Sequence, residues 1–191
     1  DKYYLVGDNR QESSDSRHYG FVSKSDILGT IMIILPKAVN PPKLVKPYGL
    51  WLGRGAAAIL VILALVQLFR IDTFLPILDG FLPAGGGFAT FVGLTIILSE
   101  IFAIPFALRM KLSPLAHLMS GALLVLAPLW WLLVDIWTFG LVDNTGQLGE
   151  FVAVPGNLAT LLVNLVWVAL SYYALYTLGY NQLKVKELLR K

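Results

Sequence analysis

Residues 7–22 read GDNRQESSDSRHYGFV. Asp8, Arg10, Asp15 and Arg17 fall within eleven positions. Carboxylates and guanidinium groups pair through two parallel hydrogen bonds, so these four side chains can hold a loop in one geometry. Gly7 and Asn9 suit turns, and Ser13, Ser14 and Asp15 can accept hydrogen bonds from nearby backbone N–H groups. On residue types alone this is a solvated, salt-bridged turn. A second group of polar residues sits in apolar surroundings: Glu100, His117, Asp135 and Asn164. A charge at the centre of a bilayer costs about 2.5–3.5 kcal/mol on insertion scales, so such residues raise the hypothesis of transport or a proton relay. The plainer alternative is that they bond to one another and hold helices together.

Those surroundings are set by composition. Of 191 residues, 57% are hydrophobic and 14% charged. A soluble domain is nearer ~45–50% apolar and ~25% charged, so the chain reads as a membrane protein. The net charge of +3 is modest. Its basic residues flank apolar runs, which suits anchoring at a membrane interface and not nucleic-acid binding. There is no cysteine, which excludes disulfides and thiolate metal sites. Nothing in the sequence calls for a metal or a cofactor, and the oligomeric state is left open.

The elements that must position these residues follow from the same pattern. "KYYLV" and "ILGTIMIIL" are β-branched and aromatic, bounded by polar turns, and read as strands. "PKAVNPPKLVKPYG", with four prolines, reads as an extended linker. Four apolar stretches follow, at about 51–70, 86–108, 113–138 and 156–180. Each is long enough to cross ~30 Å of hydrocarbon as a helix. Between the first two, "IDTFLPILDGFLPAGG" reads as an interfacial or re-entrant segment. Trp130, Trp131, Trp137 and Tyr180 suit interface belts. The expected fold is mainly α and integral to a membrane: four transmembrane helices over 51–180, preceded by a short β fragment at 1–36 and a linker at 37–50, and followed by a basic tail at 181–191. The second and third helices should be antiparallel neighbours, since their connection is short. That expectation places Glu100 in the interior with His117 as its partner.

The order of residues in the polar loop carries more than their types. Gly7-Asp8-Asn9-Arg10, Ser13, Asp15-Ser16-Arg17 and Gly20-Phe21-Val22 resemble the last signature box of the type I signal peptidases. The resemblance continues through "SKSDILGTIMIILP" and covers about residues 3–36. It implies a protein that cleaves signal peptides from exported proteins with a serine nucleophile and a lysine general base. Ser13 then matches the serine whose hydroxyl orients that lysine. Asp8, Asp15 and Arg17 match charged residues that brace the site, and Gly7 matches the tight turn before them. In the family the nucleophile and base precede this box, and here only Asp1–Val6 do. The chain is therefore expected to be a fragment of a longer enzyme and inactive by itself, the catalytic pair lying upstream.

Arg54, "FLPILDGFLP" and Glu100 give residues 50–180 a resemblance to the DoxX-like four-helix membrane proteins. It implies, as an alternative, a non-catalytic membrane protein with a peptidase remnant. A small transporter using Glu100 and His117 is a further alternative. The expected partners are the signal peptides of exported proteins and the lipid bilayer. Orientation is in conflict. Lys43, Lys46, Arg54, Arg109, Lys111 and the basic tail fall on one side, Asp72, Asp79, Asp143 and Glu150 on the other. The positive-inside rule puts the amino-terminal side in the cytoplasm. Signal-peptide cleavage needs residues 1–36 on the outer face of a bacterial plasma membrane, and the more specific box favours that placement. An extra crossing within 70–87, or a segment upstream, would reconcile the two.

Overall fold

A computed structural model describes residues 1–7, 9, 11–27, 38, 40–82 and 86–182. The chain divides into two compact units, Asp1–Leu35 and Pro36–Lys191. In the first, strand β1 (Lys2–Tyr3) pairs antiparallel with β2 (Val22–Ser23), Tyr3 opposite Val22. Between them runs the polar loop, with one helical turn, α1 (Ser16–Tyr19). The sequence reading made "KYYLV" a strand throughout and took this segment as loop. The ladder ends at Tyr3 because Leu5 bonds elsewhere: its N–H donates to Ser16 Oγ at 2.9 Å and its carbonyl accepts from Ser16 N at 2.9 Å. The strand expected over 27–35 lies, apart from Ile27, outside the described residues.

Among the described residues the second unit holds four helices long and apolar enough to cross a membrane: α2 (Gly49–Phe69), α4 (Gly86–Ala107), α5 (Pro114–Trp137) and α6 (Leu158–Thr177). Their limits follow from local chemistry. Ser113 caps α5 by accepting from Ala116 N at 3.3 Å, with Pro114 as the first helical residue, where a missing N–H costs nothing. Asn157 caps α6 through a reciprocal pair with Thr160, which starts that helix at Leu158. Gly179, at φ +88, stops it after Thr177, three residues short of the expected end. Lys43 carbonyl lies so close to Gly179 that no Cβ would fit. Val45 N also donates to Thr177 O at 2.9 Å. The proline-rich segment is thus docked against the bundle from Pro42 onward and is not a free linker there.

The segment between α2 and α4 contains α3 (Ile71–Asp79), which packs on α4 through the fully buried Phe74 and Leu78. Nine residues make a helix of about 13 Å, too short to cross a bilayer. The extra crossing invoked to resolve the orientation conflict is therefore not made by α3.

Two apolar cores result. One gathers Leu60, Phe106, Leu124 and Leu178; the other gathers Phe74, Ile96, Ile97 and Trp131. Less than half of each long helix's most apolar stretch is buried within the bundle. Side chains such as Ile62, Phe69, Phe91 and Val163 face outward. α4 contains Pro105, which lacks an N–H and interrupts the helical ladder. The next amide is satisfied across the interface: Phe106 N donates to Ser120 Oγ at 3.0 Å.

Candidate functional site

In the first unit the site forms around Asp15. The residue is buried at 3% exposure, and five donors among the described residues point at its carboxylate. Oδ2 accepts from Gly7 N at 2.9 Å, Ser13 Oγ at 2.8 Å and Arg17 Nη2 at 2.8 Å. Oδ1 accepts from Arg17 Nε at 2.8 Å and Arg17 N at 3.1 Å, the latter bond capping α1. The Arg17 guanidinium, with help from the Gly7 amide and the Ser13 hydroxyl, holds the Asp15 carboxyl well below the usual carboxylate range. Gly7 is required because a Cβ there would lie 2.4 Å from Ser13 Cβ.

Ser13 is fixed from both sides. Its hydroxyl donates to Asp15 and accepts from Arg17 Nη2 at 2.8 Å. A hydroxyl oxygen has two lone pairs, so one remains for a further donor. Among the described residues the Ser13 proton goes to the Asp15 carboxylate, which already receives four other hydrogen bonds, an arrangement that suits an acceptor held in place. Among the described residues, none of Ser13, Ser14 and Ser16 is hydrogen-bonded to a lysine or histidine. Gly7, Ser13, Asp15 and Arg17 come together, and Asp15 with Arg17 is one of the carboxylate–guanidinium pairs expected from the residue types. Asp8 and Arg10 lie outside the described residues.

A second polar cluster lies between the two apolar cores of the bundle. Glu100 is fully buried. Its Oε1 accepts from Trp131 Nε1 at 2.9 Å and from Gln67 Nε2 at 3.2 Å. Gln67 also donates to the carbonyl of Gln147 at 3.3 Å. Gln147 Nε2 donates to Asn164 Oδ1 at 2.9 Å, and Asn164 Nδ2 donates to Asp135 Oδ2 at 2.6 Å. One chain of hydrogen bonds therefore joins all four long helices and the loop between α5 and α6. That loop is tied by Asn144, whose Oδ1 accepts from Gly146 N and Val154 N and whose Nδ2 donates to the Gly149 carbonyl. The tie directs residues 146–149 inward, against Phe74, Ile77 and Val66.

Two expectations are corrected here. Glu100 is interior, but His117 is not its partner. His117 is fully buried beside Phe106, ring centroids 6.2 Å apart and nearly perpendicular, and neither ring nitrogen has a hydrogen-bond partner among the described residues. Gln67 and Trp131 take the carboxylate instead. Trp131 is not an interface anchor: it is fully buried, because its N–H has a buried acceptor. Trp137, by contrast, is exposed and donates to the Phe81 carbonyl at 3.0 Å. The sequence reading missed Gln67 and Gln147. An amide within the run "LALVQLF" was the available signal for Gln67.

A family model described as signal peptidase, peptidase S26, matches residues 1–35, the whole of the first unit. No curated protein and no solved structure matches the chain.

Proposed function

We propose that residues 1–35 are the carboxy-terminal part of the catalytic domain of a type I signal peptidase, carried on a four-helix integral membrane domain. The observation that supports this most is the Ser13 hydroxyl, held between Asp15 and Arg17 and, among the described residues, keeping one lone pair free, inside the segment the family model matches. In a serine–lysine endopeptidase the lysine must be a neutral amine to take the nucleophile's proton, which requires burial and suitable neighbours. A fixed acceptor such as Ser13 takes one N–H of that amine and so aims its lone pair at the serine hydroxyl. Asp15 and Arg17 keep Ser13 in place, and Gly7 closes the turn against it. In this reading Gly7, Ser13, Asp15 and Arg17 support a nucleophile and base that are not among them, and residues 1–191 by themselves are expected not to cleave a signal-peptide substrate.

The test is a cleavage assay on the purified chain and on the reading frame extended upstream. Activity only in the extended form supports the assignment. Cleavage by residues 1–191 that survives simultaneous Ser13→Ala, Ser14→Ala and Ser16→Ala shows that the catalytic residues have been misplaced. The reading places residues 1–35 on the outer face of a bacterial plasma membrane, against the positive-inside rule. The chain has no cysteine, so a single Ser25→Cys probed with an impermeant thiol reagent decides the side.

A further inference from the structure

Charge is segregated along the second unit. α2 and α5 begin, and α4 and α6 end, at one end of the bundle, where Arg109 Nη2 donates to the Pro42 carbonyl. Lys43, Lys46, Arg54, Arg109 and Lys111 stand at this end, and among the described residues of the unit it carries no carboxylate. Asp72, Asp79, Asp143 and Glu150 stand at the opposite end, where Arg70 meets Glu150 at 2.7 Å and Asp72 at 3.5 Å. None of the five cations of the first end has such a partner among the described residues.

Two of these cations share a patch with three aromatic side chains. Tyr48, Trp51 and Arg54 recur every three residues, so they stand one above another at the start of α2. The Arg54 guanidinium lies 5.7 Å from the centroid of the Trp51 ring. The indole covers one face of that fork and leaves its edge N–H groups available. Tyr48 Oη is hydrogen-bonded to Tyr173 Oη of α6, and the two rings stack with centroids 6.3 Å apart. Two hydroxyls bonded to each other use one proton, so one O–H is left for an outside acceptor. Lys46 lies two residues before Tyr48 and close enough to act electrostatically on the Tyr173 hydroxyl. An ammonium, a guanidinium edge and a phenol thus converge, all of them donors. All five side chains are exposed, Trp51 at 73%. Trp and Tyr settle at the level of lipid head groups, so in a bilayer a head group is what covers this patch.

The kind of head group follows from charge. Phospholipids carry a phosphodiester, which accepts from every donor here. Phosphatidylcholine adds a quaternary ammonium, which two unpaired cations repel. The Trp51 ring that would attract such an ammonium already lies under Arg54. A lipid whose only charge is its phosphodiester matches the patch.

We infer that Lys46, Arg54 and the Tyr48–Tyr173 pair hold the phosphate of an anionic phospholipid at the basic end of the bundle, in preference to zwitterionic lipid. The inference rests on the membrane part of the reading above and is independent of the peptidase part.

The experiment uses the full chain in phosphatidylcholine nanodiscs. The probes are phosphatidylglycerol and phosphatidylcholine, each brominated high on the acyl chain. Quenching of Trp51 is read as the difference from Trp51→Phe. Trp137, exposed at the opposite end, is read the same way through Trp137→Phe and serves as the reference. Each cation at a membrane surface strengthens the attraction of anionic lipid about fivefold. Brominated phosphatidylglycerol should therefore associate at Trp51 roughly tenfold or more better than brominated phosphatidylcholine, with no such preference at Trp137. Lys46→Gln and Arg54→Gln should each lower the preference about fivefold, and Lys46→Gln alone carries the test should the second variant fail to fold. Inorganic phosphate should not compete. Equal association of the two lipids at Trp51 overturns the inference, as does an equal preference at Trp137 or one that survives Lys46→Gln. Displacement by inorganic phosphate overturns the lipid assignment. A chain that does not enter the disc overturns the membrane reading, whereas an inserted chain without the preference overturns this inference alone.

Discussion

Two carboxylates anchor the two polar clusters of this chain, and they are served very differently. Asp15 receives five hydrogen bonds, three of them from one arginine. Glu100 receives two, both on one oxygen and both from neutral donors. Water lies close to the first cluster, so a compensating cation with an exposed edge is easily accommodated: the Arg17 side chain is 36% exposed. The second cluster is enclosed by hydrocarbon, where a guanidinium would be expensive and amides and an indole take its place. The lesson is that charge neutralisation builds rigid sites at a surface, whereas inside an apolar bundle polarity is met by chains of neutral donors that run short.

That contrast can be broken or sharpened by measurement. The largest effect is expected at Ser13. On the proposed reading, in which Ser13 orients a base and does not touch substrate, Ser13→Ala in a protein that cleaves signal peptides should lower kcat by about 10²–10⁴-fold with little change in KM. An unchanged kcat removes Ser13 from the site. Next in size is Trp131→Ala, which removes a fully buried ring together with a donor to Glu100 and should destabilise the bundle by about 3–5 kcal/mol. Denaturation in mild detergent reads this out, and a loss below about 1 kcal/mol would show that the interior chain carries little of the fold.

The third test is one of pH. The Asp15 carboxyl is held below its unfolded range, so its contribution to stability is fully present above about pH 4 and is lost only as pH falls toward its depressed folded value. Carbon NMR of the labelled carboxyl should therefore show no titration between roughly pH 3 and 5. A midpoint near 4 would mean that Arg17 does not hold it. The smallest effect is the coupling between Gln67 and Glu100. A double-mutant cycle with Gln67→Met and Glu100→Gln should give about 0.6 kcal/mol, the average for polar pairs in membrane bundles. A coupling several-fold larger would place this pair with the charged cluster in kind.

The same contrast explains what could be read from sequence. The number of long helices and their rough limits were legible, because nothing competes with hydrocarbon periodicity over twenty residues. The Asp15–Arg17 pair was legible because its members are two positions apart, whereas Gly7 and Ser13 entered as site residues only through the resemblance of the loop to a signature box. The interior chain was not. Gln67, Glu100, Trp131, Gln147 and Asn164 span nearly a hundred positions, and their meeting depends on helix rotation and on how a loop folds. Helical rise put His117 near Glu100, but rise says nothing about which way each ring or carboxylate turns. The likeness to DoxX-like proteins rested on Arg54, "FLPILDGFLP" and Glu100 as sequence positions, with no contact between them implied. Arg54 lies at the surface over the ring of Trp51, 5.7 Å from its centroid, and is not among the partners of Glu100. The one-turn helix α1 escaped notice because four residues carry no periodicity.

The knot tied by Asn144 has a kinetic consequence. All of its bonds join residues no more than ten positions apart, and Thr145 N donates to Val154 O at 2.7 Å inside the same span. Contacts this local close quickly and at small entropic cost. The turn can therefore assemble before α6 has found its neighbours, delivering α5 and α6 as a preformed hairpin. Asn144→Ala should consequently slow refolding more than it accelerates unfolding, a signature visible as a displaced folding limb in detergent stopped-flow traces.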